Sequence, residues 1–174
     1  MVPSALVGGE KVTKKEKEIL RLLEKDARIS PAKLAAMTDM PVAEVDAILR
    51  KAEAQGAILR YKTVINWDRA GEQQVWALIE VKVTPQREVG FESTAERIAR
   101  FPQARSVYLV SGTYDLAVLV TGETMHQVAA FVGEKLAPLE SVQGTVTHFI
   151  LKRFKDDGEL MQGGEGTQRL PISL

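Results

Sequence analysis

The apolar residues of this chain change their spacing once, near Gly56, and that change most restricts the folds open to it. Before Gly56 they recur three and four residues apart, as on a helix with one buried face. From Val75 onward they alternate, as on a strand with one face in a core. Two blocks of different period in a chain of 174 residues predict two small units of different architecture, joined in series.

The first block carries three helix starts. Thr13-Lys14-Lys15-Glu16 reads as a capping box, the Thr13 hydroxyl accepting from the Glu16 amide while the Glu16 carboxylate accepts from the Thr13 amide. The helix that follows turns Ile19, Leu20, Leu22 and Leu23 inward and leaves Glu16, Lys17, Glu24 and Lys25 outside. Ser30-Pro31 is a second start, a capping hydroxyl before a proline whose missing amide is harmless at the first helical position. Leu34, Ala35 and Met37 supply the buried face of this short helix, and Thr38-Asp39 makes the turn after it. Pro41 opens a third helix, which carries Val45, Ile48, Leu49 and Ala52 inward and ends at Gly56. Three short helices joined by tight turns match the helix-turn-helix layout, whose last helix lies in the major groove of DNA. Ala57 to Ile65 then reads as a strand or wing, and Asn66 to Gly71 as a linker.

In the second block, Val75, Ala77, Ile79, Val81 and Val83 alternate with Trp76, Leu78, Glu80 and Lys82, which predicts a strand. A helix is expected from Val89 to Arg100, closed by Phe101-Pro102. Ser106 to Val110 and Leu116 to Thr121 flank Ser111-Gly112-Thr113-Tyr114-Asp115, the length and composition of a hairpin. A helix from Glu123 to Leu136 places Met125, Val128, Ala129, Val132 and Leu136 on one side, and Val142 to Lys152 makes the last strand. The order β-α-β-β-α-β is the ferredoxin-like one, with two helices on one sheet face and the other face in need of cover. These strands carry few charges, so a second copy packed sheet to sheet is the simple way to cover it.

The fold class expected is α+β: an N-terminal three-helix winged helix-turn-helix plus a C-terminal ferredoxin-like βαββαβ domain. The corresponding boundaries are a flexible leader over 1–10, the helix-turn-helix over 11–62, a linker over 63–74, the sheet domain over 75–153 and a tail over 154–174. The tail is polar and Gly-rich up to Gln168 and is expected to be flexible, except that Leu170 to Leu174 could add an edge strand.

No stretch approaches the roughly 18 unbroken apolar residues that a spanning helix needs. The richest run, Val107 to Val120, is interrupted by Ser111, Gly112, Thr113 and Asp115. A membrane is therefore not an expected partner. Met1 to Gly9 has neither a basic stretch nor an apolar run long enough for export. The absence of cysteine excludes disulfides, thiolate zinc sites and cysteine nucleophiles and fits a reducing, cytoplasmic compartment; no metal or cofactor is expected. Net charge is zero, so any attraction to a polyanion must be local. Residues 11–62 hold twelve Lys and Arg against eight Asp and Glu, a balance of +4, which a two-fold dimer doubles.

Lys17-Glu18-Ile19-Leu20 with Leu23, Asp26-Ala27-Arg28-Ile29-Ser30, Leu34-Ala35, Val45 with Ile48, Gly56-Ala57-Ile58 and above all Gly112-Thr113-Tyr114-Asp115 resemble the Lrp/AsnC (leucine-responsive, feast/famine) family of transcriptional regulators. The resemblance runs from about Thr13 to Lys155. It implies a homodimer, or dimers closed into an octameric ring, that binds DNA and responds to an amino acid or related metabolite held in a cleft between subunits. In that family the Gly-x-Tyr-Asp hairpin lines the cleft, so the resemblance gives Gly112, Thr113, Tyr114 and Asp115 this role, with Thr145 and Thr147 on the last strand as further candidates. The chemistry agrees: glycine lets a ligand approach backbone amides, tyrosine covers apolar surface, and aspartate pairs with an ammonium group. Equally, Gly112 could merely make the turn and Asp115 cap it.

For DNA, the candidates are Ser30 and Lys33 at the start of the second helix and Val42, Glu44, Asp46, Arg50 and Lys51 on the third. Here the chain departs from the resemblance. Relatives carry Ser or Thr at the recognition-helix cap and Arg on its exposed face, whereas this helix begins Pro41-Val42-Ala43-Glu44-Val45-Asp46-Ala47. Arg50 and Lys51 remain as phosphate anchors, and Glu44 can accept from a cytosine amino group. The acidic start also motivates an alternative, a metabolite sensor with weak or no DNA binding. A third reading follows from the similarity of sirohaem decarboxylases to the family. His126 and His148 are the two histidines available for it, without a surrounding cluster, and the expectation is that the chain is not an enzyme.

Overall fold

Residues 12–85 and 90–161 are described by the computed structural model, and the chain divides into two compact units between Thr63 and Val64. The expected leader and the expected edge strand at Leu170 to Leu174 lie outside the described residues.

Capping decides where the helices of the first unit begin. The Thr13 amide donates to Glu16 Oε2 at 2.6 Å and the Glu16 amide to Thr13 Oγ1 at 3.2 Å, completing the box that starts α1 (Lys14–Lys25). Ser30 caps α2 (Pro31–Thr38), its hydroxyl accepting from the Lys33 amide at 3.2 Å. Asp39 ends α2 in the left-handed conformation, φ 51°, which Asp tolerates better than most residues. Pro41 then precedes α3 (Val42–Ala54) without any side-chain cap. Ile19, Leu23, Leu34, Ala35, Met40 and Val45 form the core of this unit.

Two expectations fail here. Met37 is 52% exposed, because the inward face of α2 is centred on Leu34, Ala35 and the half-buried Thr38; Met40, just after the left-handed Asp39, is buried in the core. The segment Ala57 to Ile65 forms no strand. It runs without a ladder partner, leaving Leu59 exposed, and the Tyr61 hydroxyl donates to Glu53 Oε1 of α3 at 2.8 Å.

The second unit is a four-stranded antiparallel sheet with helices on one face. Its strands are β1 (Val75–Val83), β2 (Ala104–Leu109), β3 (Leu116–Gly122) and β4 (Val142–Ile150), in the spatial order β2-β3-β1-β4. Helix α4 (Glu92–Ala99) joins β1 to β2, and α5 (Met125–Phe131) joins β3 to β4. This is the ferredoxin-like arrangement. Alternation sorts the side chains: Ala77, Ile79, Val81, Val83, Leu116, Val118 and Val120 are buried together with Ile98, Val128, Phe131, Leu136 and Leu139 from the helical layer. Phe101 and Phe131 meet edge to face, with ring centres 5.6 Å apart. Thr94 is the buried polar residue of this layer, and its hydroxyl shares a 2.7 Å hydrogen bond with that of Ser141.

The helix expected as far as Leu136 changes character at Val132. Val132–Leu136 is a π-helical turn, in which the Ala137 amide reaches the Val132 carbonyl at 2.8 Å. The opposite face of the sheet carries Trp76, Leu78, Glu80 and Lys82 of β1, with Tyr108, Leu119, Val146 and Ile150 from its neighbours; Tyr108 and Val146 are more than half exposed.

The described part of the segment expected to be a flexible tail, residues 154–161, carries a hairpin. Lys155–Asp156 and Glu159–Leu160 pair as β5 and β6 around Asp157 and Gly158, both with positive φ, as an Asp-Gly turn of this kind requires. Met161 is buried, and its carbonyl accepts from Asn66 Nδ2 at 2.7 Å. The Arg153 guanidinium lies 4.4 Å from the Trp76 ring centre and donates to Asp156 at 2.9 Å, tying the start of this hairpin to the sheet.

Candidate functional site

Helix α3 presents its residues according to what it buries. Val45 and Ala52 are buried, while Ile48 and Leu49 are half-buried against the core. Val42, Ala43, Glu44, Ala47 and Arg50 are exposed, and Asp46 is half-buried. Lys33 is exposed at the start of α2, whereas Ser30 has its hydroxyl engaged as the cap. Lys51 differs from Arg50 beside it. Its ammonium lies 3.3 Å from Glu16 Oε1, joining α3 to α1. Glu16 is thereby shared between the Thr13 amide and Lys51, and these contacts, the backbone one foremost, hold its carboxyl below the ordinary range.

In the second unit, the hairpin forms where the sequence places it: the Val110 amide donates to the Asp115 carbonyl at 2.9 Å, closing the loop. Asp115 also works on its neighbours. Its amide donates to the Val81 carbonyl at 3.1 Å, and its carboxylate accepts from the Val83 amide at 2.8 Å. That second bond has a cause in the ladder. Pairing of β1 with β3 ends at Val81 with Leu116, and the Val83 amide, which points to the same edge of β1 as Val81, takes the Asp115 carboxylate as its acceptor in place of a ladder carbonyl. Lys82 completes the arrangement by reaching the Thr113 carbonyl at 3.3 Å and the Asp115 carboxylate at 3.6 Å.

Gly112 and Thr113 stand exposed at the loop, and Tyr114 is half-buried. Gly112 is outside the left-handed region, and a Cβ added to it would meet nothing within 4 Å, so neither the turn nor its packing explains the glycine. Thr145 and Thr147 pair with Val81 and Ile79 and share the helix-bearing face of the sheet, both half-buried. Lys82 belongs to the other face. The two threonines are thus not gathered with the Lys82–Asp115 pair. Lys82 and the Val83 amide are the participants that sequence reasoning missed; the alternation that assigns Lys82 to the open face gives no hint of where the ladder beside it ends.

The two histidines lie on different elements. His126 is exposed on α5, while His148 lies on the open face of β4, its Nε2 3.1 Å from Glu80 Oε1. Among the described residues, no group of three His, Asp or Glu could hold a metal ion, and no helix is long and apolar enough to cross a membrane.

Comparison with known proteins matches both units. The family model of the winged helix-turn-helix DNA-binding domain covers residues 13–58, and that of the Lrp/AsnC ligand binding domain covers residues 76–160. The HTH-type transcriptional regulator YugG of Bacillus subtilis (strain 168) is 46% identical over 164 residues, 94% of this chain and 99% of its own length. The leucine-responsive regulatory protein of Rhizobium meliloti is 29% identical over 139 residues, 80% of this chain and 88% of that one. Among solved structures, a Neisseria meningitidis transcriptional regulator in complex with L-Met has a TM-score of 0.67 at 20% identity, covering 84% of this chain and 94% of its own. The leucine response regulatory protein of Mycobacterium tuberculosis reaches 0.71 at 19% identity, covering 86% and 99%. At such identities the structures speak for the fold.

Proposed function

Because this chain belongs to the Lrp/AsnC family of transcriptional regulators, we propose that it acts in the cytoplasm as a homodimer, or as a ring of such dimers, and binds DNA through α2 and α3. An amino acid or related small metabolite at the Gly112–Asp115 hairpin adjusts that binding. The observation that carries the effector reading is Gly112: a residue with no side chain, at an exposed loop position where neither backbone conformation nor space calls for glycine. A ligand that approaches the backbone closely is a reason for keeping it bare. The loop is held ready, since Lys82 and the Val83 amide fix Thr113 and Asp115 from one side. The L-Met complex of the Neisseria meningitidis regulator supports the amino-acid class.

The dimer reading rests on the open sheet face. Leu78, Tyr108, Leu119, Val146 and Ile150 form an apolar strip there, with the Glu80–His148 pair set within it. A two-fold axis through such a face covers it with its own copy. DNA contact on this reading uses Lys33 and Arg50, with Ser30 and Lys51 positioning the helices that carry them and Val42, Glu44 and Asp46 set toward the bases.

A thermal-shift screen of the common amino acids, followed by a mobility shift with the chain's own upstream DNA, tests the reading. A ligand that binds the native state raises the melting temperature. The same ligand is then expected to change DNA affinity, and it should do neither in a variant with Gly112 replaced by a bulky residue. Stabilisation that leaves DNA affinity untouched would reject the regulatory link, and DNA binding insensitive to salt would reject phosphate contact through these cations.

A further inference from the structure

The base that this regulator demands at the start of its recognition helix follows from which side chains α3 buries. With Val45, Ile48, Leu49 and Ala52 turned to the core, the outward ridge at about 3.6 residues per turn runs through Ala43, Ala47, Arg50 and Ala54, all exposed. Its first two members are methyl groups, which permit close approach to base edges. In the first turn, the part that meets bases in helix-turn-helix proteins, Val42, Ala43 and Glu44 are exposed, and of these Glu44 alone bears a hydrogen-bonding side chain.

A carboxylate can only accept. In the major groove, guanine offers the acceptors N7 and O6, and thymine offers O4 beside its methyl group. Adenine offers an amino donor, but with the N7 acceptor next to it. Cytosine offers its N4 amino donor with no acceptor alongside. A carboxylate is therefore attracted by cytosine, compromised at adenine and repelled by the other two. Resting on the reading of α3 as the DNA-reading helix, we propose that Glu44 specifies a cytosine in each half-site, while Val42, Ala43 and Ala47 favour thymine methyl groups at its neighbours. The same negative charge, with Asp46 beside it, opposes phosphate and so weakens binding to duplexes that lack that cytosine.

The experiment is selection of duplexes from a randomised pool by the full-length protein, read by sequencing, and repeated with Glu44→Ala and Glu44→Gln. Residue 44 is exposed, so neither change disturbs the core. The wild type is expected to enrich a C·G pair at one position per half-site, and Glu44→Ala to lose preference there alone, with discrimination falling about ten-fold. Glu44→Gln should move that position toward adenine, whose N6 and N7 suit a carboxamide. If the enriched bases are the same whatever stands at residue 44, the assignment is overturned while DNA reading by α3 stands. If the wild type enriches no sequence and shows no salt-dependent binding, both are overturned.

Discussion

The backbone amide of Val83 donates to the carboxylate of Asp115 at 2.8 Å, at the point where the pairing of β1 with β4 slips by a residue. Asp115 thus has structural work whatever else it does. Asp115→Ala leaves the Val83 amide without its acceptor and is expected to destabilise the second unit by about 1–3 kcal/mol. Asp115→Asn, whose carboxamide oxygen still accepts, should retain much of that stability. Urea denaturation of both variants checks this; equal stability of the alanine variant and the wild type would show the bond to be dispensable. Loss of effector response in Asp115→Ala alone would accordingly say little about ligand contact, and the asparagine variant is the informative one.

Two glycines are expected to behave oppositely. Gly112→Ala meets open space at ordinary backbone angles and should change stability by less than about 0.5 kcal/mol. Gly56, which ends α3 at φ 69°, is in the left-handed region, and Gly56→Ala should destabilise by about 1 kcal/mol or more. Thermal melts compare them directly. A fall in effector affinity for Gly112→Ala without a fall in stability would tie the bare backbone to the ligand.

Glu16 makes the first unit sensitive to acid. Its carboxyl is held below the ordinary range by the Thr13 amide first and by Lys51 as well, against opposing desolvation. A carboxyl whose folded value is depressed contributes stability above its unfolded value, and that contribution is lost as pH falls through the folded one. Urea melts followed by helical circular dichroism should therefore lose stability below the ordinary carboxylate range, and Glu16→Gln should flatten that loss. Thr13→Ala, which removes the other half of the box, is expected to destabilise by about 1 kcal/mol at neutral pH.

Ile79 sits at the centre of the sheet on its helix-bearing face, fully buried between Val118 of β3 and Thr147 of β4. Ile79→Ala should destabilise by about 2–5 kcal/mol, as for other large-to-small changes in cores. Leu59, 90% exposed, is the contrasting site, where the same truncation should stay within about 0.5 kcal/mol in the isolated chain.

What the sequence made legible is whatever is encoded locally. The Thr13–Glu16 box, the Ser30 cap and the alternation of β1 depend on neighbours a few residues away, and each is found where its pattern lies. Ala57 to Ile65 has the composition of a strand, but a strand also needs a partner ladder, and nothing in those residues says whether one is present. The β5–β6 hairpin falls in the stretch read as a flexible tail, because its two-residue strands are too short for alternation to register. In the site, the exposed Gly112 and the hairpin around it are readable from order and spacing. The hold of Asp115 on Val83 is not, because it depends on where the pairing of β1 with β3 stops, between strands more than thirty residues apart in the sequence.

Both tryptophans, Trp67 and Trp76, lie beyond Thr63, where the chain divides, and the first unit contains none. Indole emission is consequently a private reporter of the sheet unit, with Trp76 stacked beside the Arg153 guanidinium as its environment-sensitive member. The helical unit is dark at the same wavelengths and supplies the larger share of the far-ultraviolet helical signal, α4 and α5 of the sheet unit contributing the rest. Coincident melting curves by the two signals would mean that the units unfold as one cooperative block, whereas separated curves would give each its own transition, and an effector or a duplex could then be assigned to the half whose curve it moves.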